Sequence, residues 1–302
     1  MRYGIRKAVL APVPEVEISA EQYSLLGKAR NVLSSALGIE EKYEILIANF
    51  LELEKQLLVA AATNAVRNTM TYSEFFDIRS TLNICLVNLL TAARLYLDQL
   101  PQDVADCVPE KCDAATLVKA RCSTEYDDHF EYRFMEALRN HVQHRGVPIH
   151  FTKQGSHWTS MDEHKLMEFT VDIFAQRRYL EEDGKFKKAI LAELTDDVDL
   201  KVACRSYVES LSAINEYARQ LTSETLQAAR AVIEAAHEQY AEIYHESLIG
   251  LTAFAYDQEQ SISSVPLLLD WDDVRTELQK RNGRLVNLRK RYVSGKAATP
   301  KK

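Results

Sequence analysis

Apolar side chains recur every three or four residues over long segments of this chain, and this spacing constrains its fold more than any other feature. Residues 39–100 contain neither glycine nor proline. Within them, Leu46, Phe50, Leu53 and Leu57 lie on one face of a helix. The whole chain of 302 residues has only 9 Gly and 7 Pro, which favours helices over a turn-dense β fold.

The same spacing predicts a succession of amphipathic helices, and therefore a mainly α fold arranged as a helical bundle. Gly38 is expected to end the first helix, and Pro101 to end the third and to begin a loop at 101–115. A further break is expected near Ser123. The predicted helices cover residues 19–37, 40–69, 73–100, about 115–145, 175–194, 198–222, 223–257 and about 271–293.

The periodicity changes after Gly146 and Pro148. The segments PIHFT (148–152) and HKLMEFTVDIF (164–174) have the pattern of two short strands, with KQGS between them as the turn. They predict a small β-hairpin insertion at about 148–174 within the helical bundle.

Charge is unevenly distributed along the chain. The net charge is -7, yet ten Lys and Arg residues stand against the single acid Glu277 between Arg275 and Lys302. We expect one helical domain at 15–257, followed at 258–302 by a linker, a terminal helix and a basic tail. This tail could recruit an anionic partner such as RNA through phosphate contacts. It could equally be a solvated helix with a frayed end, and both interpretations stay open.

Several classes of function lack their motifs in this chain. Neither G-x-x-x-x-G-K-[ST] nor G-x-G-x-x-G occurs, and there is no H-E-x-x-H. We therefore expect no cofactor and no metal site. The five cysteines include no C-x-x-C pair and are expected to be reduced thiols. With no export signal and no uninterrupted apolar span, the expected location is cytoplasmic, with no membrane partner.

Residues 129–145, HFEYRFMEALRNHVQHR, hold the densest group of chemically useful side chains. Three His, three Arg, an Asn and a Gln fall within little more than four helical turns. Asn140 and His144 are four residues apart and share a helix face, as do Arg139 and Gln143. Arg139 and His144 are separated by about 140° around an ideal helix. A long Arg side chain could still converge with His144 at a loosened helix end.

These residue types suit cleavage of a phosphodiester. Arg binds phosphate oxygens bidentately and stays charged, while His transfers protons near neutral pH. In RNA the 2′-OH supplies the nucleophile, so one Arg and one His, used twice, could cut RNA without a metal. Arg and His are also favoured at helix C-termini, where they complement the helix dipole. Residue types and spacing alone leave both interpretations open.

The segment RNHVQH at 139–144 resembles the R-x4-6-H motif of the HEPN superfamily, in which a polar residue often follows the Arg. The surroundings FEYRFMEALRNHVQHRGVPI are similar to those of many bacterial members, and LNICLVNLLTAARLYLDQL (82–100) resembles the long second helix of that fold. The resemblance covers roughly residues 40–222. The hairpin, the helical part after residue 175 and the basic tail depart from the minimal fold.

This resemblance implies a HEPN-like helical bundle that forms a homodimer, with both motifs facing one composite cleft. It implies metal-independent cleavage of RNA through a 2′,3′-cyclic phosphate, in a toxin–antitoxin, phage-defence or RNA-processing role. Arg139 would hold the scissile phosphate, His144 would be the acid or base, and Asn140 would orient His144 or the phosphate. RNA and an antitoxin or regulatory protein are the implied partners. Some members are catalytically silent, so the alternative is a non-catalytic binding or regulatory protein on the same fold.

Overall fold

The computed structural model of this protein describes residues 1–9, 12–67, 71–109, 113–161, 165–245, 247–258 and 260–293. Helices make up 66% of the chain, and two small antiparallel sheets account for the strands. The mainly helical class predicted from the sequence is therefore confirmed.

The helices and strands have the following bounds. The helices are α1 (Ala20–Val66), α2 (Tyr72–Cys107), α3 (Ala114–Asp128), α4 (Phe130–His144), α5 (Arg177–Glu182), α6 (Lys188–Glu193), α7 (Leu200–Tyr244) and α8 (Asp270–Arg281). The strands are β1 (Arg2–Lys7), β2 (Glu15–Ile18), β3 (Phe151–Trp158), β4 (Met167–Ala175), β5 (Val198–Asp199), β6 (Leu251–Asp257) and β7 (Gln260–Pro266). A 3-10 turn forms at Leu288–Lys290.

Two compact units can be distinguished in the chain. The first comprises Met1–Ile47, Ala92–Ser123 and Ile214–Gly283. The second comprises Ala48–Thr91, Thr124–Ala213 and the described residues of Arg284–Lys302. Four helices, α1, α2, α3 and α7, contribute residues to both units.

Helices α1 and α2 continue through both residues that were expected to end them. α1 passes Gly38 because Ile39, Tyr43 and Leu46 beyond it are buried. α2 passes Pro101 and reaches Cys107. Among the described residues, α2 is long and apolar enough to cross a membrane by length and composition. Half of its most apolar window is buried, however, as in the core helix of a globular protein.

The first unit contains a four-stranded antiparallel sheet in the order β2-β1-β6-β7, which the sequence did not predict. Residues 251–257 were expected to be helical. Every residue of β6 from Leu251 to Tyr256 is buried except Phe254, so the strand lacks the alternation that marks a half-buried strand. α7 ends before it because His245 and Gly250 take positive φ values of 44° and 79°, which a helix does not allow.

A buried ion pair joins α1 to α7 within the first unit, and α8 is attached to it. Glu40 is 1% exposed, and its carboxylate accepts hydrogen bonds from Arg219 Nε at 2.8 Å and Nη2 at 2.6 Å. Gln279 of α8 donates to the same carboxylate at 3.0 Å. Asp272, with 0% exposure, is bonded by Arg275 and Arg230. Each buried charge therefore has partners that offset its loss of water.

The second unit contains the predicted hairpin. β3 and β4 pair in antiparallel register from Phe151↔Phe174 to Trp158↔Met167, and the two-residue β5 pairs with the other edge of β4. The KQGS segment at 153–156 lies inside β3, so its assignment as the turn is wrong. Pairing of its main chain with β4 outweighs the turn preference of its polar residues and glycine. His164, the start of the predicted second strand, lies outside the described residues.

The terminal helix is shorter than expected, since α8 ends at Arg281 and the chain then continues in an irregular conformation. In the second unit the Glu209 carboxylate accepts the backbone N–H groups of Asn287 at 3.0 Å and Leu288 at 2.9 Å. Asn287 has a positive φ of 55°, a conformation that Asn tolerates better than most residues. The chain after residue 281 therefore follows an irregular path that the Glu209 carboxylate fixes, and does not form the predicted helix.

We expect the buried Glu40 carboxylate to stabilise the fold far more than an exposed one on the same helix. Glu40→Ala leaves the Arg219 guanidinium without its partner and should lower the free energy of unfolding by about 3–5 kcal/mol. Glu52→Ala removes an exposed pair with Lys55 and should have little effect. Urea denaturation of both variants compares them. Equal shifts in the two midpoints would contradict the role given to the Glu40 pair.

Candidate functional site

Helix α4 carries the candidate motif at its last turn. Its inner side is formed by Tyr132, Phe134, Met135, Ala137, Leu138 and His141, all buried. Asn140, Gln143 and His144 lie on the exposed side. The helix is separated from α3 by His129 alone, whose backbone is extended. Arg133 Nη1 donates to the carbonyl groups of Tyr126 at 2.9 Å and Asp127 at 2.7 Å, which satisfies the end of α3.

Arg139 is half-buried and lies at the start of the motif. Its Nη1 donates to Gln143 Oε1 at 2.9 Å, across one helical turn. Its Nε is buried and has no hydrogen-bond partner among the described residues. Nearby, the buried Tyr207 hydroxyl donates to Glu136 Oε1 at 2.5 Å. Burial first and the Glu136 charge second raise the pKa of Tyr207 well above its usual value, and the Arg139 charge partly opposes them.

Asn140 and His144 are exposed on the same face of α4, as their four-residue spacing predicted. Neither side chain has a hydrogen bond or an ion pair within the described part of the chain, and none joins them to Arg139. The structure thus brings the three predicted residues to one helix end but does not assemble them into a hydrogen-bonded group. Two of the three are open to solvent and available to a ligand.

His141 points the other way and is buried. Its Nδ1 lies 3.2 Å from Asp183 Oδ2, just after the end of α5, and the two side chains are 7% and 14% exposed. Gly146 follows the helix closely: a Cβ atom at this position would lie 3.3 Å from His141 Nε2. Glycine is therefore favoured here by the close approach of the histidine ring and not by an unusual φ.

The loop after the motif is held by α2. The side chain of Asn83 accepts the N–H of Ile149 at 2.9 Å and donates to the carbonyl group of the same residue at 3.5 Å. His150 Nδ1 accepts the N–H of Gln176 at 2.9 Å, and its ring packs edge-on against His141 at 6.2 Å. Burial lowers the pKa of His150, and His141 lowers it further. The chain from Gly146 to His150 is therefore fixed on both sides.

A cleft of about 570 Å³ opens between α2, this loop and α5. Arg79 lines it and has no hydrogen bond or ion pair among the described residues. Most of the remaining wall is apolar or aromatic, and asparagine and serine add hydrogen-bonding groups. The lining residues are Phe76, Arg79, Ser80, Asn83, Ile84, Val87, Asn88, Val147, Ile149, His150 and Tyr179.

The sequence did not predict the His141–Asp183 pair, the role of His150 or the hydrogen bonds between Asn83 and Ile149. These partners are separated by 42, 26 and 66 residues along the chain, and no local spacing connects them. The density of histidine in residues 129–145 was the only signal. No group of three or more His, Cys, Asp or Glu side chains within the described ranges is arranged to hold a metal ion.

Comparison with known proteins gives no match: no protein-family model, no curated protein and no solved structure matches this chain. The resemblance of RNHVQH to the HEPN motif therefore stays a prediction that rests on the motif and its helical surroundings.

We expect His150 to make the protein less stable in mild acid. Its pKa is lowered in the folded state, so below about pH 6.5 the unfolded chain binds a proton that the folded chain does not. The stability that the neutral ring provides is present above that pH and is lost as the pH falls through the folded-state pKa. His150→Gln retains an acceptor for the N–H of Gln176 and should flatten this dependence. Urea midpoints from about pH 8 to about pH 5 test it, and equal slopes for both proteins would contradict it.

Proposed function

We propose that this chain is a metal-independent endoribonuclease of HEPN type. The observation that carries the proposal is the last turn of α4, where Asn140 and His144 are exposed beside Arg139 and have no hydrogen bond or ion pair among the described residues. The buried Nε of Arg139 also lacks a partner among the described residues. A buried donor without an acceptor costs free energy, so Arg139 is not fully satisfied by the described residues. Its guanidinium and the exposed groups of Asn140 and His144 suit an anionic phosphate.

The proposed roles follow from the chemistry of each group. Arg139 binds the non-bridging oxygens of the scissile phosphate and stabilises the charge that develops there. The 2′-oxygen of the ribose attacks phosphorus and loses its proton to a base. The 5′-oxygen leaves and takes a proton from an acid, so that the products are a 2′,3′-cyclic phosphate and a 5′-OH. His144 exchanges protons in this step, and Asn140 orients the phosphate or the imidazole.

One copy of the chain offers one exposed histidine at this helix end. In-line attack places the incoming and leaving oxygens on opposite sides of phosphorus, so two proton transfers take place at two separate positions. We therefore propose a homodimer in which the motifs of both copies face one cleft, and each His144 serves one side. A toxin, phage-defence or RNA-processing role, with an antitoxin or regulatory protein as partner, belongs to the same proposal.

Three basic residues in and after α8 are not assigned to RNA binding. Arg275 is buried against Asp272, Arg281 pairs with Glu44 at 2.9 Å, and Arg289 lies 3.4 Å from Glu131. Basic groups that are already paired with acids contribute little to phosphate binding. The lysines at positions 296, 301 and 302 lie outside the described residues.

One observation favours the alternative, a non-catalytic binding or regulatory protein on the same fold. Arg139 is half-buried, and its Nη1 is bonded to Gln143 within the same helix. An arginine with this role supports the end of a helix and does not need a substrate. The two functions differ in whether removal of Arg139 or His144 abolishes cleavage of RNA.

We expect the purified protein to cleave tRNA or mRNA in EDTA and to leave 2′,3′-cyclic phosphate ends. Arg139→Ala and His144→Ala should each lower the rate by about 10²- to 10⁴-fold, since each removes charge stabilisation or proton transfer. His129→Ala and Arg284→Ala are matched controls, because both side chains are exposed and lie outside the motif.

Cleavage that persists unchanged in folded Arg139→Ala and His144→Ala proteins would overturn the proposal. A folded parent protein that binds RNA but cuts none would favour the non-catalytic alternative. Circular dichroism of each variant establishes that the comparison is made between folded proteins.

A further inference from the structure

The outer edge of β3 carries no strand partner among the described residues. In the order β3-β4-β5, β3 is an edge strand of eight residues, FTKQGSHW. An edge strand of this length presents a row of free N–H and C=O groups, and proteins commonly cover or defend such a row. Its two basic side chains are Lys153 and His157. His157 is paired with Glu168 of β4 at 3.2 Å, whereas Asp172, which stands opposite Lys153, is bonded by Lys201.

The hydrogen-bond pattern identifies which groups of β3 face the open edge. The N–H of Thr159 donates to the carbonyl oxygen of Leu166 at 2.8 Å, so these two residues form a hydrogen-bonded pair in the register of the hairpin. Such pairs alternate along an antiparallel ladder. The main-chain groups that point away from β4 are therefore those of Thr152, Gln154, Ser156 and Trp158.

The side chains of these four residues share one face of the hairpin, and half of that face is uncovered. At the end near the loop after α4, Thr152 and Gln154 stand opposite Ile173 and Val171, which are 0% and 3% exposed. At the far end Trp158 stands opposite Met167, and these two are 50% and 42% exposed. One end of the face is thus buried in its own chain. At the other end Trp158 and Met167 are about half exposed, and the Lys165 ammonium lies 4.9 Å from the Trp158 ring.

Gly155 lies at the centre of β3, where the fold itself gives no reason for glycine. A Cβ atom there would meet only Thr170 Oγ1 at 3.9 Å, an ordinary contact, and its φ is not positive. Glycine in a strand interior weakens the strand and often marks the close approach of another backbone. Nothing within the described chain makes that approach.

We propose that a second copy of this chain adds its own β3 to this edge, antiparallel, about a twofold axis at Gly155. In this register Thr152 pairs with Trp158 of the partner subunit, and Gln154 pairs with Ser156 of the partner subunit. Each pairing occurs twice because of the twofold axis, so all four outward-facing residues form hydrogen-bonded pairs. The pairing supplies about eight main-chain hydrogen bonds. A register shifted by two residues leaves at least one of the four without a partner.

The twofold axis would also cover the exposed end of this face. It places the far end of one hairpin beside the near end of the other, on the same side of the joined sheet. Trp158 then lies next to Thr152 of the partner subunit, along the part of the face that is buried in the other copy. Lys153 stands opposite His157 of the partner subunit, and the Glu168 carboxylate 3.2 Å from each His157 places an acid beside these two basic side chains. The main-chain edge is therefore complementary to itself.

This inference does not rest on the ribonuclease activity. A homodimer was proposed above from the chemistry at α4, whereas the β3 edge defines a contact from hydrogen-bond pattern and burial. Loss of the β3 contact and loss of RNA cleavage are read by different measurements, so either can fail while the other stands.

We expect Gly155→Cys to form a disulfide between two copies under mild oxidation. The two Gly155 residues face each other in a non-hydrogen-bonded pair with Cα atoms about 4.5 Å apart, within reach of a disulfide. Lys153→Cys is the matched control, since its two copies would lie roughly 14 Å apart, four residues along the strand. The parent protein, oxidised in parallel, shows whether the native cysteines form any crosslink. Non-reducing gels should show a dimer for Gly155→Cys alone.

Equal crosslinking of Gly155→Cys and Lys153→Cys would overturn the register, and no crosslink at Gly155→Cys would overturn the contact.

A proline in β3 tests the same contact without a cysteine. Ser156→Pro removes an N–H that faces the open edge and leaves the ladder to β4 intact, a position where proline is tolerated. Ser156→Ala keeps the N–H and is its control. Sedimentation should give a smaller species for Ser156→Pro than for the parent and Ser156→Ala, with matching circular dichroism. A folded Ser156→Pro that sediments like the parent overturns the proposal.

Discussion

Continuous burial of one apolar stripe along each long helix is the constraint on which the rest of this fold depends. In α2, proline at position 101 costs about 3 kcal/mol in a helix interior. Val104, Cys107 and Val108 beyond it are at most 2% exposed, and burial of a valine side chain alone contributes about 1.5 kcal/mol or more. The gain from burial offsets the cost of the proline, so the helix continues through Pro101 and ends at Cys107, two residues before Pro109.

The balance between local sequence signals and burial also explains which elements the sequence could predict. Helical class, the position of the motif on α4 and the existence of the hairpin all follow from spacing within a short stretch of chain. The four-stranded sheet does not, because β6 is buried along nearly its whole length and a short apolar run has no period that separates strand from helix. The KQGS segment also has turn residues, but its pairing with β4 is decided by a strand that comes later in the chain.

In the candidate site, too, the sequence predicts neighbours on one helix but not partners from distant positions. Arg139, Asn140 and His144 are neighbours on one helix, so their common location could be inferred from the motif. Their surroundings could not, since Asp183, Asn83 and Gln176 reach this region from distant positions. The buried His141 illustrates the difference. It belongs to the same six-residue segment as His144, yet its partner is set by where α5 ends, and no spacing rule relates the two.

The contact between Asn83 and Ile149 has a consequence for how this region tolerates change. Asn83 bonds only the main chain of Ile149, so the contact is independent of which side chain stands at position 149. Ile149 is fully buried, and a residue of similar size and polarity can replace it without loss of the two hydrogen bonds. Position 83 has no such freedom, because aspartate lacks the donor and glutamine is one methylene longer. Sequence drift should therefore be asymmetric across this contact: position 149 accepts other apolar residues of similar size, whereas position 83 requires asparagine.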